Sequence, residues 1–230
     1  MTVAAVPRLL IVGHGRMGRL VDALASEHGF EIVGILTSGN ASRPDDWPEA
    51  DVAIDFSTAS AVAANARLLA ARGVDLVIGT TGWQAEQDAL RQELTNYPVG
   101  VVAAPNFALG VNLFIALAAR AAELMANRAE FGAWIHELHH RGKRDAPSGT
   151  AISIRDTMQR SGYHSVIDVA SSRVGAMPGT HTVGFDSPAE TITLTHTARH
   201  RTAFARGALE AAKWVRGKRG WYGMADVLGI

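Results

Sequence analysis

The stretch Leu9-Leu10-Ile11-Val12-Gly13-His14-Gly15-Arg16-Met17-Gly18 decides how this chain is read. Four apolar residues run without a break into a G-x-G-x-x-G, and a helical spacing follows through Leu20, Val21, Leu24 and Ala25. An unbroken apolar run is the mark of a strand buried on both faces. The glycine pattern alone says little, but between a strand and a helix, in a βαβ unit of about 30 residues, it points to dinucleotide binding. Gly13 permits the tight turn, Gly15 lets a pyrophosphate approach the backbone, and Gly18 lets the helix pack close on the strand. The helix start then offers free N–H groups and the positive end of its dipole. The competing reading is a structural turn in an α/β protein of another kind.

Outward from this stretch, apolar runs recur at 31–36, 51–56, 74–78 and 99–103. Helical patterns separate the later ones, at 58–72, closed by Gly73, and at 83–95. Strand–helix alternation of this kind implies a parallel sheet with right-handed crossovers. Past Pro105 the character changes. Residues 111–128 read as a long amphipathic helix, and 131–140 as a strand or a helix. The segment Pro147-Ser148-Gly149-Thr150 can cap a helix over 151–160. Stretches rich in Thr, Val and Gly at 165–174, 181–185 and 191–197 read as antiparallel strands. Residues 204–215 return to a helical pattern, and 221–227 read as a short final helix. The expected architecture is α/β: a Rossmann-like parallel-sheet domain, 1–106 plus 202–230, with an inserted α+β domain, 107–201, for substrate binding and oligomerisation.

Composition narrows the function classes. Among 230 residues, 47% are hydrophobic and 19% charged, which excludes an extended disordered chain. Lys+Arg and Asp+Glu are both 22, so the basic excess of a typical nucleic-acid binder is missing. With no cysteine, thiolate nucleophiles, disulfides, Cys-ligated zinc and iron–sulfur clusters drop out. The N-terminal residues 1–8 lack the charged start and long apolar run of a leader, so a soluble cytoplasmic protein with no membrane partner is expected.

Two places bear on chemistry. At the end of the second strand an Asp or Glu would accept from the ribose 2′-hydroxyl of NAD. Here stand Thr37 and Ser38, with Arg43 further on, and Arg16 is a second available cation. Nothing there repels a 2′-phosphate, which tilts the choice toward NADPH and leaves NADH open; Thr37 and Ser38 as mere loop hydroxyls is the alternative. The second place is His136-Glu137-Leu138-His139-His140. It matches H-E-x-x-H, a zinc-peptidase pattern that requires a helix to bring both histidines to one face. As a strand, Glu137 and His139 instead share one face, and His136, Leu138 and His140 the other. The loop after it carries Arg141, Lys143 and Arg144 and leads into the helix start at Ser148-Gly149-Thr150, a combination suited to carboxylates or phosphates. A solvated basic loop beside a helix cap is the plainer alternative.

The run Glu137-Leu138-His139-His140-Arg141-Gly142-Lys143-Arg144-Asp145-Ala146-Pro147-Ser148-Gly149-Thr150-Ala151 resembles the signature E-x-H-H-x-x-K-x-D-A-P-S-G-T-A of the 4-hydroxy-tetrahydrodipicolinate (dihydrodipicolinate) reductases. Gly79-Thr80-Thr81-Gly82, Ala104-Pro105-Asn106-Phe107 with Gly110-Val111-Asn112, Asp55-Phe56-Ser57, Ser171-Ser172-Arg173-Val174-Gly175 and Thr195-His196 are similar to further family segments, so the resemblance spans the chain. It departs in a glycine loop one residue shorter than the family's usual G-x-x-G-x-x-G, in a short segment 38–48, and in Ala108 where Ser is common.

The resemblance implies hydride transfer from NADPH or NADH to C4 of a cyclic unsaturated dicarboxylate in diaminopimelate and lysine synthesis, in a cytoplasmic homotetramer. It implies His139 as general acid and Lys143 as second proton donor or electrostatic stabiliser. His140, Ser148, Gly149, Thr150 and Arg201 would hold the substrate's carboxylates. Gly13, Gly15, Arg16, Met17, Gly18, Ser38, Gly79, Thr80, Thr81, Ala104, Asn106 and Phe107 would hold the cofactor, and no metal is called for. A zinc peptidase on His136, Glu137 and His140, or a nucleotide-sensing module without catalysis, are the rival functions.

Overall fold

The protein is described from a computed structural model covering residues 5–230; residues 1–4, part of the N-terminal segment read above, lie outside the described residues. The elements run β1 (Arg8–Val12), α1 (Arg16–Ala25), β2 (Glu31–Leu36), a 3₁₀ turn (Pro44–Asp46), β3 (Val52–Asp55), α2 (Ala59–Ala71), β4 (Asp75–Ile78), α3 (Gln84–Leu94) and β5 (Gly100–Ala103). Then follow α4 (Leu109–Met125), β6 (Gly132–His139), α5 (Gly149–Arg160), β7 (Ile167–Arg173), β8 (Gly179–Asp186) and β9 (Thr191–Ala198). The chain closes with α6 (Thr202–Val215), β10 (Gly220–Tyr222) and α7 (Met224–Leu228). No helix is long and apolar enough to cross a membrane among the described residues.

Two compact units divide the chain: residues up to Leu109 together with Arg201–Ile230, and Gly110–His200. The expected boundaries at 106/107 and 201/202 shift for physical reasons. Phe107 is buried in the first unit's core, and a Cβ on Gly207 of α6 would lie 1.7 Å from the Phe107 carbonyl oxygen, so 107 belongs with α6. Arg201 is the N-cap of that same helix.

The first unit is one parallel sheet in the order β10-β5-β4-β3-β1-β2. Period-two alternation sends its side chains to two cores. Leu10, Val12, Ala53, Leu76, Ile78 and Val101 pack under α2 and α3, while Leu9, Ile11, Val52, Ile54, Val77 and Val102 pack under α1 and α6. Burial on both faces is why β1, β3, β4 and β5 read as near-continuous apolar runs, while β2 at the sheet edge is only half-buried. One expectation fails in part here. The helix expected over 221–227 is present as α7 from Met224, but residues 221 and 222 belong instead to the strand β10, which pairs with β5. A three-residue strand between glycines leaves too little sequence for a period to register.

The second unit is a four-stranded sheet in the order β7-β6-β8-β9. Ala133, Ile135, Ile167, Val183 and Phe185 on one face pack against Phe114, Ala118 and Ala122 of α4 and Ile154 and Met158 of α5. The expectation of antiparallel strands throughout is corrected: β8 and β9 are antiparallel to their neighbours, but β7 runs parallel to β6. The crossover α5 lies between β6 and β7 in sequence, and a crossover returns the chain in the parallel sense.

Candidate active site

The C-terminal ends of β1 to β4 and the loops that follow them build the first unit's site. Gly13 adopts φ +89, its N–H donates to Leu36 O (2.8 Å), and a Cβ there would stand 2.4 Å from Phe56 O. A Cβ on Gly18 would meet Gly13 O at 1.9 Å, so α1 can seat only with glycine there. Gly15, at the N-cap, has nothing within 4 Å of where a Cβ would be; its backbone faces open space at the helix start. The three glycines thus divide into two that the fold requires and one that a ligand would require.

Two clefts meet at Gly15. One of about 440 Å³ is lined by Gly13, His14, Thr37, Ser38, Ala61 and Asn65, among others. The other, about 580 Å³, is lined by Arg16, Met17, Gly79, Thr80, Thr81 and Arg201, among others; Gly15, Phe56, Ser57 and Thr58 border both. The site sits where β2 and β3 leave β1 on opposite sides, the switch point at which open α/β sheets bind ligands. Beneath it Asp55, 2% exposed, accepts from Ser57 N–H (2.8 Å), Ser57 Oγ (2.7 Å), Asn65 Nδ2 (3.1 Å) and Thr80 Oγ1 (2.8 Å), which fixes the floor shared by both clefts.

Of the expected cofactor residues, Gly13, Gly15, Arg16, Met17, Ser38, Gly79, Thr80 and Thr81 converge here, with Gly18 under the loop. Ala104, Asn106 and Phe107 do not line either cleft. Phe107 is buried and meets Phe56 edge-on (centroids 6.4 Å apart), and Asn106 Oδ1 accepts from Ala108 N–H (2.9 Å). Arg43 pairs with Asp46 (3.5 Å), away from the cleft lining. The Thr37 turn is ordered by Asn40, whose side chain accepts from Thr37 N–H (2.7 Å). Sequence reading missed His14, Thr58, Asn65 and the Asp55 hub as site residues. Asp55 was visible as a charge ending an apolar run and within the family-like Asp55-Phe56-Ser57 segment, but without a role until the strand is placed.

The second unit's cluster lies at the end of β6 and the start of α5. Because 132–139 is a strand, Glu137 and His139 share the face toward α5, while His136 and His140 fall on the other face with about 13 Å of extended chain between them, too far apart to share one metal ion. Ser148 caps α5, its Oγ accepting from Ala151 N–H (3.2 Å) and lying 3.0 Å from His181 Nε2. Gly149 and Thr150 form the first turn, and the Gly149 N–H donates to the Asp145 carboxylate. Lys143 Nζ donates to both Asp145 oxygens (2.8 and 2.9 Å), and His140 is exposed just past the strand. Arg201 belongs to the first unit, where it lines the 580 Å³ cleft.

Arg173, Ser171 and His181 complete the cluster around Glu137. Glu137 is fully buried and accepts from Arg173 Nη2 (2.8 Å) and from His139 Nδ1. The β6–β7 register places Ser171 opposite Glu137 and Arg173 opposite His139. The His181 ring stands edge-on to His139 (centroids 5.2 Å apart). Burial by itself would raise the Glu137 carboxyl, but Arg173, Ser171 and His139 outweigh it and hold it at about 2. Burial pushes His139 below its ordinary value; Glu137 opposes this, and Lys143 and Arg173 add to it. Burial, with His139 adding, takes His181 down to about 4. Glu137, His139 and His181 bring ligand-type atoms within 4.8 Å of one another, but both Glu137 oxygens and the facing histidine nitrogen are already bonded within the protein. The arrangement is a hydrogen-bonded network in which both carboxylate oxygens are engaged within the protein.

Comparison with known proteins decides what this pair of sites belongs to. The family model described as dihydrodipicolinate reductase, N-terminus, matches residues 7–107, and that described as its C-terminus matches 110–228. The chain belongs to the dihydrodipicolinate reductase family. A 4-hydroxy-tetrahydrodipicolinate reductase of Rhodopseudomonas palustris (strain TIE-1) is 37% identical, covering 97% of each chain. Another, from Myxococcus xanthus (strain DK1622), is 40% identical over 86% of this chain and 79% of its own. Among solved structures, a dipicolinate-bound dihydrodipicolinate reductase from Paenisporosarcina sp. TG-14 superposes with a TM-score of 0.78 at 23% identity, over 96% of this chain and 99% of its own, which establishes a common fold. Within this family the glycine loop and the β6–α5 cluster fall in separate matched halves, one in each unit.

Proposed function

We propose that this protein is a 4-hydroxy-tetrahydrodipicolinate reductase of diaminopimelate and lysine synthesis. The substrate, reduced pyridine nucleotide and a proton give tetrahydrodipicolinate, oxidised nucleotide and water. The observation that carries the reading is the match of both units to the two halves of one reductase family, with every fixed position of the E-x-H-H-x-x-K-x-D-A-P-S-G-T-A run present. Nucleotide binding is assigned to the first unit, and substrate binding with self-association to the second.

The donor set fits a dinucleotide: an open Gly15 backbone at a helix N-terminus for the pyrophosphate, and beyond it a mainly apolar cleft edged by the Thr37 and Ser38 hydroxyls. The nicotinamide supplies a hydride to C4 of the substrate ring. Ser57, Thr80 and Thr81 edge the cleft where the nucleotide's ribose and phosphates are expected, with Arg16 and Arg201 as cations. NADPH is favoured, because no carboxylate stands at the end of β2 and Ser38 lines the cleft there. A ratio of kcat/KM values for NADPH and NADH above unity supports that preference; a ratio below unity reverses it.

In the second unit the α5 N-terminus, with Gly149 and Thr150, suits a carboxylate, and His140 and Lys143 lie beside it in sequence. His139 Nε2 carries the proton to the ring carbon next to C4 as hydride addition builds negative charge there, and Lys143 stabilises that charge. The face of the four-stranded sheet opposite α4 and α5 supports self-association into a tetramer. It carries Trp134 and Thr193 and the hydroxyl pairs Thr180–Thr197 (3.1 Å) and Thr182–Thr195 (3.0 Å). A cytoplasmic location belongs to the same reading, since the reaction draws on the cell's reduced nucleotide.

The test is NADPH and NADH oxidation with substrate made freshly from pyruvate and aspartate semialdehyde by a synthase. Oxidation that depends on the complete mixture supports the assignment. Binding of a nucleotide without any oxidation favours a sensing module.

A further inference from the structure

Glu137 is the one fully buried carboxylate of the second unit among the described residues, and it stands between a fixed cation and an imidazole. A carboxylate held ionised has no proton to give, so the hydrogen between it and His139 belongs to Nδ1. That assigns Nε2 as the nitrogen that gains and loses a proton. At Nε2 the neighbouring strand offers Gly179, where a Cβ would lie 2.9 Å away; glycine keeps a side chain from crowding that nitrogen.

Arg173 reaches beyond Glu137. Its Nη1 donates to Ser172 O (2.8 Å), its Nε to Lys143 O (3.3 Å) and its Nη2 also to Asp145 O, so one guanidinium ties the Glu137 carboxylate to the loop that carries Lys143. We propose that Glu137 and Arg173 form a positioning pair for His139: the carboxylate fixes the imidazole's orientation and tautomer, and the guanidinium on the other carboxylate oxygen limits how strongly the imidazolium proton is held. The proposal rests on the reading of His139 as proton donor.

The logic is one of balance. A lone buried carboxylate would hold the imidazolium tightly and make it a poor acid, whereas no carboxylate at all would leave a desolvated imidazole without its proton. Arg173 takes part of the carboxylate's charge and places His139 between these limits. The other charged or titratable groups facing the ring are Lys143, itself held by Asp145, and His181, with His196 beyond it on β9. Burial keeps His181 neutral down to about 4, so over the working range the ring answers to Glu137, Arg173 and Lys143.

The two partners therefore push in opposite directions. Glu137→Gln removes the charge that favours imidazolium, so the His139 midpoint falls by about one unit or more. Arg173→Gln frees the carboxylate, so the midpoint rises by a similar amount. The measurement is the ¹³C titration of histidine Cε1 by NMR in the full-length protein, with the His139 signal identified by its loss in His139→Gln. Because it needs no turnover, its failure and the failure of the reductase assignment are told apart. In the reductase assay the alkaline limb of the kcat profile moves down in Glu137→Gln and up in Arg173→Gln, with KM little changed. Glu137→Asp keeps a charge beside Arg173 but withdraws it from Nδ1; it gives the downward shift even where the glutamine variant does not fold. Midpoints that move the same way in both variants, or stay at the wild-type value in folded protein, overturn the proposal.

Discussion

Gly15 and Gly18 lie three residues apart in one loop, and substituting them should separate binding from folding. Gly15 sits at φ −75, ψ −157, a conformation open to any residue, and a side chain there enters empty space. Gly15→Val should therefore change stability by no more than about 1 kcal/mol, the net of a lost N-cap glycine and a less flexible unfolded chain. In the bound state the added methyls occupy the place of the pyrophosphate. Hydrogen bonds from backbone N–H to a charged group contribute about 1.5–3 kcal/mol each. Losing two weakens binding by about 3–6 kcal/mol, or roughly 10²–10⁴-fold in Kd. Gly18→Ala acts the other way. Its Cβ would lie 1.9 Å from Gly13 O, and relieving that overlap by moving α1 costs about 3 kcal/mol. The assay is paired: nucleotide Kd by tryptophan fluorescence quenching and Tm by thermal unfolding. A Gly15→Val protein with wild-type Tm and wild-type affinity for both nucleotides would refute the placement of the cofactor across this loop.

Two further outcomes follow from the second unit. His139→Gln or Lys143→Ala should lower kcat by roughly 10²-fold, the scale of a lost acid or of lost charge stabilisation; near-normal steady-state turnover in both removes them from the chemistry. His181 is 4% exposed, and its folded value of about 4 lies below the ordinary 6.5. The unfolded chain then binds a proton at His181 before the folded one does. Stability from this site is complete above pH 6.5 and is lost as pH falls toward 4, by on the order of 3 kcal/mol. His181→Gln should flatten the pH dependence of Tm across that window, and an equally steep dependence in the variant counts against the buried neutral imidazole.

The first unit was legible because β1, β3, β4 and β5 are buried on both faces and the half-buried β2 is still mostly apolar, so apolar runs alone locate β1 to β5. The glycine loop was legible because Gly13 and Gly18 meet steric demands that only glycine satisfies. What escaped has a common cause: it depends on pairing across distance. β10 is three residues long and exists because β5 has a free edge for it. The direction of β7 is set by the α5 crossover, while its Thr- and Ser-rich sequence is equally suited to either sense. Within the site, the strand reading put Glu137 and His139 on one face, but Arg173 and His181 join them only through the β6–β7 and β6–β8 registers, 36 and 44 residues along the chain. The H-E-x-x-H match illustrates the converse, since a pattern meaningful at helical spacing loses its geometry on a strand.

The central claim is that hydride passes to C4 of the dicarboxylate ring while protein-delivered hydrogen goes to its neighbour. The direct measurement uses NADPH carrying deuterium at both C4 positions of its nicotinamide, with the product read by NMR. The account predicts a single deuterium at the product's C4 and solvent hydrogen on the adjacent carbon. Product whose C4 hydrogen comes from solvent, or nucleotide that binds and is never oxidised, would contradict it.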